Sequence, residues 1–94
     1  MAGREVGVFA ISVAAEMTSM QVQNLRVYER RGLVAPDRTS GGTRLYSSDD
    51  IERLHRIRDL LAAGLNLAGI AAVLELEEEN QCLRARLARV GDRS

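Results

Sequence analysis

The spacing of apolar residues predicts two short helices in the first third of the chain. One face of the first helix is apolar and consists of Val13, Ala14 and Met17. Ser12 is a suitable N-cap for this helix, and a polar break follows at 18–20. The second helix spans about 22–31, and Gly32 ends it because glycine readily adopts a positive φ. Two helices joined by a three-residue turn form a helix-turn-helix, here over about 12–31.

A short hairpin follows over about 36–46. The sequence places a Ser-Gly-Gly turn between two strand-like segments. In the second strand, alternation separates Leu45 from Arg44 and Tyr46. We therefore expect Leu45 to point into the core and the guanidinium and phenol to lie on the outer face. Such a hairpin is the wing of a winged helix-turn-helix, and its outer face suits a phosphate backbone.

The second half of the chain predicts further helices. Ser47 and Asp50 have the spacing of a capping box, with Asp in place of the usual Glu. The apolar face of the third helix is formed by Ile51, Leu54, Ile57 and Leu61. Gly64 closes that helix, and Asn66 caps a fourth. The apolar face of the fourth helix is formed by Leu67, Ile70, Val73 and Leu74.

A fifth helix, predicted over 75–90, continues from the fourth without a break. Four apolar residues and one polar residue in this helix are spaced 4, 3, 4 and 3 residues apart, which is typical of a coiled-coil seam with one polar position. The seam consists of Leu76, Asn80, Leu83, Leu87 and Val90. The chain thus divides into a loose arm (1–8), a winged helix-turn-helix head (9–74), a dimerisation helix and a tail (91–94). The fold class is mainly α with a small β-hairpin wing.

Composition narrows the possible functions. A chain of 94 residues with 46% apolar and 28% charged residues is that of one globular domain. A single cysteine excludes an internal disulfide, and no apolar run is long enough to cross a membrane. Formal net charge is zero, yet residues 22–46 carry five arginines against two acids, and residues 74–80 carry four glutamates. Because the chain offers neither a disulfide nor a membrane span, we expect a cytoplasmic protein. The uneven charge predicts a basic head, which suits nucleic-acid binding.

Several ordered motifs resemble the MerR family of bacterial regulators. They are ISVA at 11–14, LRVYERRGLV at 25–34, PDR at 36–38, GTRLY at 42–46 and DI at 50–51. Within the family the chain is most similar to the HspR-type heat-shock repressors. That similarity is carried by ISVAAE at 11–16, PDRTSGG at 36–42 and GLNLAGI at 64–70.

The resemblance implies a nucleoid-associated homodimer that binds an inverted-repeat operator in double-stranded DNA. Its last helices would pair as an antiparallel coiled coil. For HspR-type proteins it implies repression of stress or chaperone operons, with the chaperone DnaK as co-repressor. A thiol- or ligand-responsive activator and an excisionase-like architectural factor are alternatives, and so is an adaptor whose acidic helix binds a protein. The sequence predicts no enzymatic activity and no cofactor, because it contains no phosphate loop, nucleophile–base pair or metal constellation.

Ten residues are candidates for DNA contact, by position and by resemblance. They are Gln21, Gln23, Asn24, Arg26, Tyr28, Arg30, Arg38, Thr43, Arg44 and Tyr46. The amides at the start of the second helix can pair with adenine, or they form a solvated face. Arg26 and Arg30 would contact guanine or backbone, or else pair with Glu29 or Glu16. Tyr28 would contact phosphate or belong to the core.

Gln21, Cys82 and His55 also have more than one interpretation. Gln21 is a poor helix cap compared with Ser or Asp, so it is better suited to a base or phosphate contact. Cys82 flanks the seam as a packing residue, and a thiol sensor or an intersubunit disulfide is the alternative. His55 is expected to be an exposed or half-packed helix residue rather than a metal ligand, since the chain offers no second cysteine.

Overall fold

A computed structural model describes residues 7–92, with side chains up to Val90. The elements in chain order are β1 (Phe9–Ala10), α1 (Ile11–Thr18), α2 (Val22–Arg30), β2 (Asp37–Arg38), β3 (Arg44–Tyr46), α3 (Ser48–Ala62) and α4 (Leu67–Asp92). Helices α1 to α3 and the small sheet surround one core, and α4 extends from it. Residues 1–6 of the predicted arm and the last two residues of the predicted tail lie outside the described residues.

The buried face of α1 differs from the predicted one. Its core residues are Ala14, Ala15 and Thr18, whereas Val13 and Met17 are exposed. The helix packs on α2 and α3 through small side chains, which permit a close approach of the backbones. Thr18 can be buried because its hydroxyl donates to the Ala14 carbonyl at 2.8 Å. The prediction that the larger apolar residues face inward was therefore wrong for α1.

The start of α1 also differs from prediction. Its N-cap is Ala10, which makes no side-chain capping bond. Ser12, the predicted cap, is an exposed residue within the helix. The backbone of Ala10 belongs to β1, so the sheet rather than a side chain fixes the point where the helix begins.

Helices α1, α2 and α3 end in the same kind of turn. A residue with positive φ follows the helix, and the next amide donates to a carbonyl in the last turn of the helix. After α2, Gly32 has φ 77° and the Leu33 amide donates to the Tyr28 carbonyl at 2.9 Å. After α3, Gly64 has φ 97°. Both glycine stops were predicted and are confirmed. After α1 the same role falls to Ser19, at φ 56°.

The sheet has three strands in the order β1-β3-β2, all antiparallel. The hairpin of β2 and β3 was predicted, but β1 was not. The Val8 amide donates to the Tyr46 carbonyl at 3.0 Å, and the Gly7 amide donates to Asp37 Oδ2 at 2.9 Å. Residues 7 and 8 therefore lie along the sheet, which corrects the prediction of a loose arm through residue 8.

Helix α3 begins with the predicted capping box. The Asp50 amide donates to Ser47 Oγ at 3.0 Å, and the Ser47 amide donates to Asp50 Oδ2 at 2.9 Å. The buried face of α3 consists of Ile51, Leu54, Ile57 and Leu60. Leu61, which was predicted to be part of that face, lies at its exposed margin.

Helix α4 is continuous over 26 residues, as the unbroken fourth and fifth helices predicted. The Gly69 amide donates to Asn66 Oδ1 at 2.8 Å, which confirms Asn66 as the cap. Ile70 and Leu74 are buried in the core, while residues 75–90 are exposed. No helix within residues 7–92 combines the length and apolarity that a membrane crossing requires.

Two ion pairs fasten the exposed part of α4 to α3. They join Arg53 Nη1 to Glu78 Oε2 at 3.1 Å and Arg56 Nη2 to Glu77 Oε2 at 2.5 Å. The hydrogen bonds from Arg56 lower the pKa of Glu77. Both pairs are largely exposed, so they orient the helix more than they stabilise the fold.

Candidate nucleic-acid interface

Helix α2 has one buried face and one exposed polar face. Leu25 and Tyr28 are buried against the rest of the head. The exposed side chains on this helix and at its N-cap are Gln21, Gln23, Asn24, Arg26 and Arg30. Five of the predicted contact residues thus share one accessible surface, in which the amides lie at the N-terminal end of the helix. This is the end from which a recognition helix contacts base edges.

Gln21 is the N-cap of α2, but its side chain makes no capping hydrogen bond. Its carbonyl accepts from the amides of Asn24 and Leu25, at 3.0 and 3.3 Å. The backbone therefore starts the helix while the amide side chain stays exposed. This arrangement agrees with the prediction that Gln21 is a poor cap.

The wing tip is a hydrogen-bonded loop between β2 and β3. The Thr39 amide donates to the Thr43 carbonyl at 2.9 Å, and the Thr43 amide donates to Thr39 Oγ1 at 3.1 Å. The Gly42 amide donates to the Thr39 carbonyl at 2.8 Å. Residues 39–43 are all exposed. The tip is therefore ordered by its own bonds and accessible to a ligand.

Glu29 connects α2 to both strands of the wing. Its Oε2 accepts from Arg38 Nη2 at 2.7 Å, and its Oε1 accepts from Arg44 Nε. Arg38 also donates from Nη1 to the Gly42 carbonyl at 3.0 Å. Sequence reasoning had considered Glu29 only as a partner for Arg26 or Arg30. The actual partners lie 9 and 15 residues away, so no helical spacing could have identified them.

The charges of this cluster stabilise one another. Burial alone would raise the pKa of Glu29, but the hydrogen bonds from Arg44 and Arg38 outweigh it and hold the pKa below its usual range. The same bond from Glu29 raises the pKa of Arg44. Glu29 is thus ionised at neutral pH and neutralises part of the positive charge of the wing.

The two tyrosines are less accessible than predicted. Tyr46 has 0% of its surface exposed, and Leu45 is only half-buried. The prediction that the Tyr46 phenol lies on the outer face with Arg44 was therefore wrong, because the inward side of β3 is the side of Tyr46. Tyr28 is also buried, which favours its interpretation as a core residue. Burial raises the pKa of both phenols.

Helix α3 supports the helix-turn-helix from behind. Arg58 Nη1 donates to the Thr18 carbonyl at 2.9 Å, just before the turn. Arg53 Nε donates to the Leu33 carbonyl, just after α2 ends. Two arginines on α3 therefore bind the backbone at either end of the segment that contains α2.

The residues considered for other chemistry remain separate from one another. Cys82 is exposed on α4, and His55 is partly buried on α3. The described residues contain no group of three or more His, Cys, Asp or Glu side chains arranged to hold a metal ion.

The winged head matches a known family over most of its length. The model of the MerR HTH family of regulatory proteins matches residues 9–77. The chain belongs to the MerR family. It is 48% identical to the putative heat shock protein HspR of Streptomyces coelicolor over 84 aligned residues. Those residues are 88% of this chain and 56% of that protein. The resemblance predicted from the motifs is therefore confirmed.

A second curated relative and a solved structure are also similar to this chain. The transcriptional regulator GlnR of Bacillus anthracis is 44% identical over 78 residues, which are 83% of this chain and 60% of that protein. The crystal structure of PbrR691 from Ralstonia metallidurans superposes with a TM-score of 0.69 at 30% identity, over 88% of this chain and 71% of that one. The chain spans less than two thirds of the length of the two curated relatives. The predicted winged helix-turn-helix fold is confirmed.

Proposed function

We propose that this MerR-family chain is a dimeric, sequence-specific DNA-binding repressor that occludes promoters containing inverted repeats. The observation that carries the proposal is the exposed polar face of α2 beside an ordered basic wing. The relatives described above, which include a transcriptional regulator, support the same function. Enzymatic activity has no support from these relatives.

Recognition would begin at the N-terminal end of α2 in the major groove. Gln and Asn side chains can make paired hydrogen bonds to adenine, and arginine makes them to guanine. Gln23 and Asn24 are exposed at that end, and Arg26 follows half a turn later. Arg38, Thr43 and Arg44 of the wing would then contact the phosphate backbone, which fixes the register but does not read sequence.

The dimer would form through α4. Its seam residues Leu76, Leu83, Leu87 and Val90 are 55–71% exposed in the single chain, which is unusual for large apolar side chains at regular spacing. Helix α4 is continuous through the seam, so these residues share one stripe. A second copy of the same stripe would cover them.

The charges beside the seam favour an antiparallel pair. The residues that flank the seam are acidic before Asn80 and basic after it. The acidic ones are Glu77 and Glu79, and the basic ones are Arg84 and Arg86. If two α4 helices are antiparallel and centred between residues 81 and 82, each glutamate faces an arginine on the other helix. A parallel pair would bring only Glu79 opposite Arg84. Flanking charges set orientation in coiled coils, so the pattern supports the antiparallel dimer.

The genes controlled are proposed from similarity alone. The relative from Streptomyces coelicolor is named as a putative heat shock protein, which supports repression of stress or chaperone genes. If the protein binds the promoter of a chaperone operon, expression of a reporter gene fused to that promoter should rise when the gene for this chain is deleted. An activator would give the opposite change. DnaK as co-repressor stays a prediction of the resemblance, and a pull-down of DnaK with the DNA-bound protein tests it.

Selection from a random pool of DNA duplexes tests sequence-specific binding. We expect enrichment of an inverted repeat with two half-sites about one helical turn apart. In a second selection, Asn24→Ala should relax the preference at one or two positions, whereas Gln81→Ala on α4 should leave it unchanged. Failure to enrich any sequence would refute specific binding. Enrichment of single or direct repeats would instead favour the excisionase-like architectural factor.

Sedimentation equilibrium tests the dimer directly. Leu83→Arg places a charge in the seam, and Ala85→Arg places the same charge on the opposite face of α4. We expect the first variant to be a monomer and the second to remain a dimer. If both variants have the mass of the wild type, α4 does not form the interface.

A further inference from the structure

Both basic side chains that flank the wing tip are bound to one acceptor on the recognition helix. Arg38 lies on β2 and Arg44 on β3, and the two oxygens of Glu29 each accept from one of them. Arg38 is also tied to the Gly42 carbonyl of the wing tip. An arginine side chain is long and samples many rotamers when it is free. Glu29 therefore selects one arrangement of both guanidinium groups relative to α2.

We propose that Glu29 is a positioning residue, which holds Arg38 and Arg44 at the place where they meet the DNA backbone when α2 occupies its correct site. This inference rests on the proposed function and deepens it, because it assigns a source of specificity to a residue that reads no base. The wing arginines would be held, before binding, in the positions that suit one placement of the protein along the duplex.

The exposure of the three side chains supports a role beyond holding the fold together. Arg38 is 46% exposed and Arg44 is 27% exposed, so both can bind a second anion while they remain bound to Glu29, which is 18% exposed. An arginine has five N–H donors, of which the bond to Glu29 uses one in each residue and the bond to the Gly42 carbonyl uses one more in Arg38. The remaining donors can face phosphate oxygens.

The same carboxylate should lower affinity for any duplex, because its negative charge lies beside the phosphate-binding surface. Removing it would make the head more positive and would free both arginines to reach phosphates in many registers. Binding to unrelated DNA should then become tighter, while binding to the correct site loses its prearranged contacts. Glu29 would thus increase the ratio of specific to non-specific affinity at the expense of total affinity.

The test compares binding to the duplex enriched by selection with binding to a shuffled duplex of the same composition, over a range of salt concentrations. For Glu29→Gln we expect the affinity ratio to fall about tenfold and the salt dependence on the shuffled duplex to steepen by about one unit. Glu52→Gln removes the same charge from an exposed position on α3 and should leave the ratio unchanged. Glu29→Asp keeps the charge but shortens the reach, so it should restore the salt dependence and only part of the ratio.

A second background shows whether Glu29 acts through the arginines. In a chain that carries Arg38→Ala and Arg44→Ala, adding Glu29→Gln should change the ratio no further. A further fall there, or an unchanged ratio for Glu29→Gln in the natural chain, overturns the inference while the proposed function stands. A wild-type chain that binds both duplexes equally would instead refute the proposed function itself. Thermal unfolding of each variant separates loss of fold from loss of specificity, and Glu29→Asp decides the question if Glu29→Gln does not fold.

Discussion

Replacing Tyr46 by phenylalanine tests how much its buried hydroxyl costs the folded head. Its side chain is fully buried, and its hydroxyl has no hydrogen-bond partner among the described residues. A buried polar group without a partner costs about 1–3 kcal/mol relative to the same group in water. Tyr46→Phe removes only that oxygen and keeps the ring packed in the core. The substitution should therefore stabilise the fold.

The expected gain is about 1 kcal/mol, at the lower end of that range because the surroundings relax when the oxygen is removed. For a domain of this size such a change raises Tm by roughly 4–8 °C. Thermal unfolding followed by circular dichroism measures it, and all samples must have the same protein concentration because dimerisation also shifts Tm. The affinity for DNA and its salt dependence should not change.

Two results would refute this reasoning. A loss of stability of about 1 kcal/mol or more would mean that the hydroxyl donates a bond in the folded protein, directly or through a buried water molecule. A salt dependence flattened by about one unit would mean that the phenol contacts a phosphate, as the sequence had predicted. Arg44→Ala provides the reference, because its guanidinium is accessible and its loss should flatten the salt dependence.

Three further predictions concern local features of the head. Ser47→Ala breaks the capping box and should lower the free energy of unfolding by about 1 kcal/mol, whereas Ser48→Ala, one residue further on, should have little effect in urea denaturation. Gly32→Ala places a side chain at φ 77° in open space and should cost about 1–2 kcal/mol in the same assay, with Gly41→Ala as control. Glu29 has a lowered pKa, so the stability it contributes is present above the ordinary glutamate pKa of about 4.3 and is lost as pH falls through the lowered value. The difference in stability between the wild type and Glu29→Gln should therefore disappear in acid, as followed by unfolding at a series of pH values.

Each of these has an outcome that contradicts it. Equal losses for Ser47→Ala and Ser48→Ala would mean that the capping bonds contribute nothing. A neutral Gly32→Ala would mean that the turn after α2 adapts to a side chain. A difference between wild type and Glu29→Gln that does not shrink as pH falls below the ordinary glutamate pKa of about 4.3 would mean that the charge of Glu29 is not what stabilises the wing.

The features predicted correctly from the sequence depend on neighbours within one or two helical turns. The capping box at Ser47, the stop at Gly32 and the continuity of α4 are all of this kind. Each is fixed by backbone geometry over a few residues, so the local sequence contains the information needed. The regular spacing of the exposed apolar residues on α4 is a local pattern too, and their role as a coiled-coil seam stays a prediction.

The errors have a different cause, which is tertiary packing. Alternation in β3 separates Tyr46 from Leu45 but does not say which side faces the core, and a tyrosine is both apolar and polar. In α1 the close approach of neighbouring helices selects Ala14 and Ala15 over the larger Val13 and Met17. The partners of Glu29 lie in another element, so their pairing depends on the assembled fold.

The continuity of α4 has a consequence for the length of DNA that the proposed dimer spans. One helix is buried in the head at Leu74 and exposes Leu83 about 14 Å further on, at 1.5 Å per residue, with no joint between them. The number of residues between head and seam therefore sets both the separation and the relative rotation of the two α2 helices in the proposed dimer. One residue inserted at 75 would rotate the seam by about 100° relative to the head, whereas seven would restore the face and add about 10 Å to each helix. A family member could thus change its operator spacing by altering the length of this helix alone, without changing any residue that touches DNA.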